Sequence, residues 1–406
     1  MYCGSCMHDN TLAKRLIADG HDCVLQPVYT PIRVDEDSIA RDALFFGGIQ
    51  VYLIDRFPWL GRLPRWLRAP LDFPPLVRFL TRRAGGTDAS ELGHLTLSML
   101  AGEDGPLAGE VHRLVNWIGD RDADEVVLSN LLIGGFLPTL AKQCPNVRRV
   151  VLLQGDDAFI DHLPTRDRDR VVRALRRLAR YIDVPVVHSN FYADRLADLL
   201  AVPRKRFEIR PLAIDPNPYG PDAPRGRDGP FRWLYGARLS REKGFDIAAE
   251  AFGRLAEFRP KDRWDVFGYL GPENADLYDR VAESLAAAGL AARWTYHGAV
   301  DRSRKAELLS RADVMLLPTR YEEPKGLPAL EAMASGLPVV VPDHGAWPEL
   351  IDDTGGGLLY RAGDPDDLMK KANRLREQPK LRRQLGESGR RAVTERRNIW
   401  TASIDW

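Results

Sequence analysis

Apolar residues along this chain fall into short continuous runs separated by longer amphipathic stretches. The runs Glu125–Leu128, Arg149–Leu153, Pro185–His188, Trp233–Tyr235, Trp264–Gly268, Trp294–His297, Val314–Leu317 and Val339–Val341 are three to five residues long. Runs this short, with little alternation between faces, predict strands buried inside a parallel sheet. Helical periodicity fills the intervals, near Leu132–Lys142, Arg168–Tyr181, Phe191–Leu200, Asp246–Phe258, Tyr278–Ala288 and Arg304–Leu309. Strand alternating with helix predicts a doubly wound α/β fold. At the start, Asn10–Asp19 reads as an amphipathic helix ended by Gly20, and Asp22–Tyr29 as the strand after it. At the end, Gly355–Tyr360 reads as a late strand and Pro365–Val393 as helical.

A chain of 406 residues is too long for one core. The Pro- and Gly-rich stretch 217–229 reads as a linker. It divides a first domain, 1–216 (with a divergent insertion at 30–120), from a second at 230–386, and 387–406 reads as a terminal helical segment crossing back. Net charge is +1, which gives no bulk attraction to nucleic acid. No run of eighteen apolar residues occurs. Four cysteines in so long a chain fit a reducing compartment, and the expected location is the cytoplasm. Residues 56–83 carry seven arginines with two tryptophans and three phenylalanines. That mixture suits peripheral contact with the inner face of a membrane, or an irregular insertion rich in proline.

The chemistry concentrates near the C-terminus. Glu323 and Glu331 are separated by seven residues, in Glu323-Pro324-Lys325-Gly326-Leu327-Pro328-Ala329-Leu330-Glu331. The pattern predicts strand, loop, short helix Leu327–Ala334, then the next strand. Glu323 then lies in the loop at the strand's carboxyl end, where open α/β sheets bind ligands. Glu331 lies in an otherwise apolar helix, where an unpaired carboxylate is costly. The first free N–H groups of that helix, near Gly326 and Leu327, form an anion site. A ligand carrying phosphate between two sets of hydroxyls, such as a nucleotide-sugar, satisfies all three features.

These residues resemble the E-x7-E motif of retaining GT-B glycosyltransferases, especially the family 4 (group 1) enzymes of bacteria. Leu234-Tyr235-Gly236-Ala237-Arg238-Leu239-Ser240-Arg241-Glu242-Lys243-Gly244 is similar to that family's G-R-L-x-x-x-K-G segment, with Ala237 added before the arginine. The resemblance implies two Rossmann-like domains facing a cleft. It also implies a metal-independent transfer of a sugar, with retention, from a nucleotide-diphosphate donor to a glycan, lipid or small-molecule acceptor. No cofactor is implied. Arg238 and Lys243 would hold the diphosphate as it leaves. Glu323 would bind donor sugar hydroxyls and Glu331 the ribose. Gly326, Leu327, Lys325 and Gly236 would line the donor site, and Gly298 would sit in the base-binding loop.

Two departures bear on that expectation. Gln154 stands after the strand Arg149–Leu153, where many relatives carry histidine; glutamine hydrogen-bonds a sugar but is no base at neutral pH. It joins Asp156 and His344 as a candidate cleft residue. Only nine residues precede Asn10, so the first strand of the family's N-terminal domain is expected to be missing and the native chain to begin upstream. Met1 to Cys6, including Gly4, would be the remnant of the turn facing the cleft. A ligand-lining loop fits Cys3-Gly4-Ser5-Cys6 better than zinc or redox chemistry, since no second pair stands at standard spacing. The competing functional reading is a donor-binding but inactive partner or scaffold in glycan assembly; a sugar-nucleotide epimerase fits the E-x7-E run less well.

Overall fold

Strands buried on both faces need partners on both edges, and the apolar runs supply them in two separate parallel sheets. The computed structural model describes residues 4–29, 32, 34–41, 45–46, 89–220 and 229–402. The first sheet contains β1 (Glu125–Leu128), β2 (Arg148–Leu152), β3 (Val184–Val187) and β4 (Glu208–Ile209), in the order β1-β2-β3-β4. The second contains β5 (Arg232–Gly236), β6 (Arg263–Phe267), β7 (Trp294–Tyr296), β8 (Val314–Leu316), β9 (Val339–Pro342) and β10 (Gly357–Tyr360), in the order β10-β9-β8-β5-β6-β7. Every pairing in both is parallel. The second order reverses between β5 and β8, so the loops after those two strands leave the sheet side by side at a topological switch point.

Helices connect the strands. α1 (Gly4–Ala18), α2 (Ala89–Leu100), α3 (Ala108–Gly119), α4 (Leu137–Gln143), α5 (Asp156–Ile160), α6 (Thr165–Leu178) and α7 (Asn190–Leu200) precede β4. α8 (Phe245–Glu257), α9 (Ala275–Ala287), α10 (Arg302–Arg311), α11 (Leu327–Ala334), α12 (Trp347–Thr354), α13 (Pro365–Glu377) and α14 (Pro379–Arg396) follow β5. The first core gathers Val111, Leu137, Val151 and Tyr192 around the first sheet. The second sheet has a core on each face, one around Trp233, Phe245 and Trp264, the other around Leu330, Met333 and Trp347.

The chain divides into two units that do not follow the sequence boundary. One comprises Cys23–Ile32 and Ile39–Arg210, the other Met1–Asp22, Arg33–Ser38 and Pro211–Trp406. α1 and the short stretch around Asp35 thus group with the second sheet, not with residues 39–210. The anticipated linker also begins too early: Asn217–Tyr219 forms a helical turn whose Tyr219 is buried in the second unit.

Other expectations change locally. Asp22–Tyr29 forms no ladder; its backbone is held by single bonds from Arg41 N to Leu25 O and from Phe46 N to Val28 O. Pro365–Val393 is two helices, because Gln378 precedes a proline and adopts φ −113°, ψ 79°. Asn398 does not lead away from its own unit. It pairs with Ile214, with bonds from Ile214 N to Arg397 O and from Ile399 N to Ile214 O. The arginine-rich stretch 56–83 and Cys3 lie outside the described residues. Among the described residues no helix is long and apolar enough to cross a membrane.

Candidate active site

The loop after β5 is shaped by Tyr235. Its hydroxyl donates to Arg238 O at 3.0 Å and Lys243 O at 3.2 Å, folding residues 238–243 into a tight arch. Gly244 closes the arch at φ +71°, with its Cα against Pro318; a Cβ there would lie 1.8 Å from Pro318 O. The β5 and β8 loops are thus in backbone contact. Arg320 N and Tyr321 N both donate to Glu242 O, and Arg320 pairs with Asp246 at 2.7 Å.

This contact brings Lys243 to Glu323. Lys243 Nζ lies 2.8 Å from Glu323 Oε2 and 4.8 Å from the centre of the Tyr321 ring. Glu323 is buried, and Gly326 N donates to its Oε1 at 3.4 Å. Burial alone would raise the carboxyl, but Lys243, Lys325 and the Gly326 N–H together hold it below the ordinary value. Glu323 is therefore a buried carboxylate kept charged. Lys243 spends one of its three N–H donors on it and retains two for a ligand. Arg238 is exposed, and its guanidinium has no hydrogen-bond or ion-pair partner among the described residues.

The loop is fixed from behind by the segment after β9. Ala346 N donates to Glu323 O at 2.8 Å. Gly345 lies against the Glu323 backbone at φ +62°, and a Cβ on it would meet Glu323 N at 2.8 Å. His344 Nε2 pairs with Thr319 O at 2.9 Å, and Trp347 Nε1 donates to Thr319 Oγ1 at 3.1 Å. Those contacts give His344 a place in bracing the β8 loop.

α11 starts at Gly326, whose left-handed conformation turns the chain into the helix. The Gly326 N–H is spent on Glu323, which leaves Leu327 as the first residue whose N–H faces outward from the helix start. The first turn of α1 meets it. A Cβ on Gly4 would lie 3.4 Å from Leu327 Cδ2, and Lys325 Nζ donates to Ser5 Oγ at 3.1 Å.

One turn further along α11, Glu331 is buried but paired. Its Oε1 accepts from Tyr219 Oη at 2.8 Å and Lys305 Nζ at 2.6 Å. Lys305 is itself 5% exposed and pairs at 2.6 Å with Asp35, which also binds Arg302 at 3.1 Å. Burial disfavours the ammonium, yet Glu331 and Asp35 outweigh it and raise Lys305 above its ordinary value. Burial and the Glu331 charge together push the Tyr219 phenol well up.

Gly236 ends β5, packed against Phe267 and Met315, and Gly298 follows β7 with open space beside it and its carbonyl bonded to Gly268 N at 2.9 Å. Gln154 and Asp156 belong to the other unit. Both are buried, and Asp156 accepts the Leu131 N–H at 2.9 Å. Asp157 beside it accepts from Tyr192 Oη at 2.8 Å and pairs with Arg195. Sequence reasoning did not find Tyr219, Lys305, Arg302 or Asp35. Lys305 did leave a signal: it occupies the apolar stripe of α10 with Leu308 and Leu309, a costly place for an ammonium without a buried partner.

Two parallel-sheet Rossmann-like units, with charged loops at the switch point of the second, define the GT-B class of fold. HepE from Anabaena, solved in complex with UDP, matches with a TM-score of 0.63 at 17% identity over 93% of this chain and 96% of that one. Sucrose-phosphate synthase from Thermosynechococcus elongatus matches with a TM-score of 0.61 at 22% identity, covering 72% and 74%. Residues 223–392 fit the model of the family described as glycosyl transferases group 1. The MMP alpha-(1->4)-mannosyltransferase of Mycolicibacterium hassiacum is 30% identical over 301 residues, 68% of each chain. Mannosylfructose-phosphate synthase of Agrobacterium fabrum is 30% identical over 203 residues, 47% of this chain and 44% of that protein. The chain belongs to the glycosyl transferases group 1 family. It spans about half the length of several of the relatives it matches.

Proposed function

We propose that this protein is a retaining glycosyltransferase that takes a sugar from a nucleotide-diphosphate donor. The observation that carries the reading is the Lys243–Glu323 pair at the switch point, 2.8 Å apart, with the exposed Arg238 in the same loop as Lys243 and the start of α11 next to Glu323. A donor bound across these groups would set its diphosphate against Arg238, Lys243 and the Leu327 N–H, and its sugar hydroxyls against Glu323. As the bond from anomeric carbon to phosphate oxygen breaks, negative charge grows on the phosphate and positive charge on the sugar ring. Arg238 and Lys243 answer the first, and the ionised Glu323 the second. These side-chain cations serve the role a divalent ion serves elsewhere, so the reading calls for no metal.

The acceptor hydroxyl must lose a proton during transfer. Gln154 cannot take it at neutral pH, and His344 is bonded to a backbone carbonyl. The reading therefore assigns the proton to the departing phosphate oxygen, on the face the acceptor enters, which preserves anomeric configuration. Glu331 would bind the donor ribose. The acceptor class, a glycan, a lipid or a small molecule, is open to a screen. The relatives include a mannosylfructose-phosphate synthase and an amylovoran biosynthesis glycosyltransferase.

The test is a thermal-shift and hydrolysis panel of UDP-, GDP- and ADP-sugars on the wild type and on Glu323→Ala. One donor is expected to raise the wild-type midpoint and to be slowly hydrolysed only by the wild type, releasing the sugar with its anomeric configuration kept. If no donor stabilises the protein, the catalytic reading fails. Binding without turnover, with acceptors supplied, would favour the inactive-partner reading.

A further inference from the structure

The proposed role of Glu331 raises the question of what aims it. Its Oε1 already takes two donors, the Tyr219 hydroxyl and the Lys305 ammonium. Glu331 also lines a pocket together with Tyr219, Arg302, Leu327 and, from α1, His8 and Thr11. A carboxylate with one oxygen doubly engaged cannot rotate freely. Among the described residues the second oxygen has no hydrogen-bond partner, which leaves it as the acceptor for a ligand.

Lys305 can hold Glu331 this way only because its charge is shared. Asp35 takes the other side of the ammonium at 2.6 Å, and the Asp35 side chain is 1% exposed. The neighbouring Glu36 extends the clamp to α1. It accepts from Asn10 at 2.8 Å, pairs with Lys14 at 3.0 Å and binds Arg302 at 2.7 Å. The backbone joins in, with Arg302 N donating to Asp35 O at 3.1 Å. Three acids (Asp35, Glu36, Glu331) thus face three bases (Lys14, Arg302, Lys305), and the cluster is neutral as built.

We propose that Asp35, Lys305 and Tyr219 are positioning residues that present the free oxygen of Glu331 to the vicinal hydroxyls of a nucleotide ribose, with Asp35 supplied from a segment nearly three hundred residues away in sequence. This rests on the donor-binding reading of Glu331. Without the Asp35 charge, the ammonium belongs to Glu331 alone and competes with the ribose for its second oxygen. Without the Tyr219 hydroxyl, the carboxylate is held at one point and turns.

The test uses the full chain and isothermal titration with UDP, GDP and ADP and their 2′,3′-dideoxy counterparts, which lack both hydroxyls. The wild type is expected to bind one nucleotide about tenfold more tightly than its dideoxy form, the value of a hydrogen bond to a charged acceptor. In Asp35→Asn and Tyr219→Phe that ratio is expected to fall below about threefold, with affinity for the dideoxy form nearly unchanged. Glu331→Gln sets the floor. If the variants keep the wild-type ratio, or weaken both forms equally, the positioning role is refuted and the cluster is structural. A wild type that binds a nucleotide but ignores its hydroxyls also refutes it. A wild type that binds no nucleotide refutes the donor-binding reading itself. Tyr219→Phe removes one oxygen only, so it carries the test should Asp35→Asn fail to fold by circular dichroism.

Discussion

Replacing Lys243 by methionine probes the electrostatic centre of the site. Opposite charges 2.8 Å apart attract by about 6 kcal/mol at an effective dielectric near 20. Desolvation offsets most of this attraction, and removing one member of a buried pair typically costs about 3–5 kcal/mol. Lys243 keeps 22% of its side-chain exposure, so water screens part of the pair and Lys325 remains nearby. The expected loss near neutral pH is therefore about 2–4 kcal/mol.

That loss depends on pH. In the wild type the Glu323 carboxyl titrates below its ordinary value of 4.5. Its contribution to stability is present above 4.5 and disappears as the pH falls through the lowered folded value. In Lys243→Met the largest influences that lower the carboxyl are gone while burial still raises it, so the folded value should move up and the stability that the charged carboxylate contributes above 4.5 should shrink. The gap between the two proteins should be widest near pH 7 and should narrow below about pH 4. Urea denaturation at several pH values, followed through tryptophan fluorescence of the unit containing Trp233, Trp264 and Trp347, measures it. Lys243→Met/Glu323→Gln should recover at least half the loss, since neither charge then remains. A gap equal at pH 4 and pH 7, or a double variant as unstable as the sum of the singles, would refute the reasoning.

Arg238→Ala should change stability by less than about 0.5 kcal/mol, because the side chain is exposed and has no partner among the described residues. The same change should lower turnover with the identified donor by about 10²–10³-fold. Gly345→Ala forces a side chain onto a left-handed residue and against the Glu323 backbone; a loss of about 1–3 kcal/mol is expected, with donor hydrolysis falling further than Tm alone accounts for. Asp262→Ala is the structural control. The carboxylate is fully buried, binds Arg376 at 3.0 Å and accepts the Trp233 indole N–H at 3.0 Å, so about 3–5 kcal/mol should be lost while the donor KM, measured below the melting range, is unchanged.

What the sequence disclosed and what it hid follow from the range of the interactions. Leu327–Ala334 is legible to the residue because Gly326, Pro328 and Gly336 punctuate it locally. The break at Gln378 was equally available, since a residue before proline avoids helical geometry. Asp22–Tyr29 misleads because an apolar run says nothing about whether a neighbouring strand exists to bond it. The switch point is invisible until the strand order is known, as β5 and β8 are neighbours in space only. Asp35 is harder still. It lies in a short irregular stretch with no periodicity, and its partners Lys305 and Arg302 stand 270 and 267 residues later.

The tie between Ile214 and Asn398 closes the stretch from Pro211 onward on itself, and that stretch alone builds the whole six-stranded sheet. A chimera joined at residue 211 would therefore fold a complete second sheet with Arg238, Lys243, Glu323 and Glu331 of one parent. Its α1, Ser5, Asp35 and Glu36 would come from the other. Exchanging the first half of the molecule between relatives would here also exchange the acids and the helix that brace the second half. Productive hybrids should be those that carry Met1–Asp22 and Arg33–Ser38 along with the stretch from Pro211, and the crossover that respects the molecule is a discontinuous one.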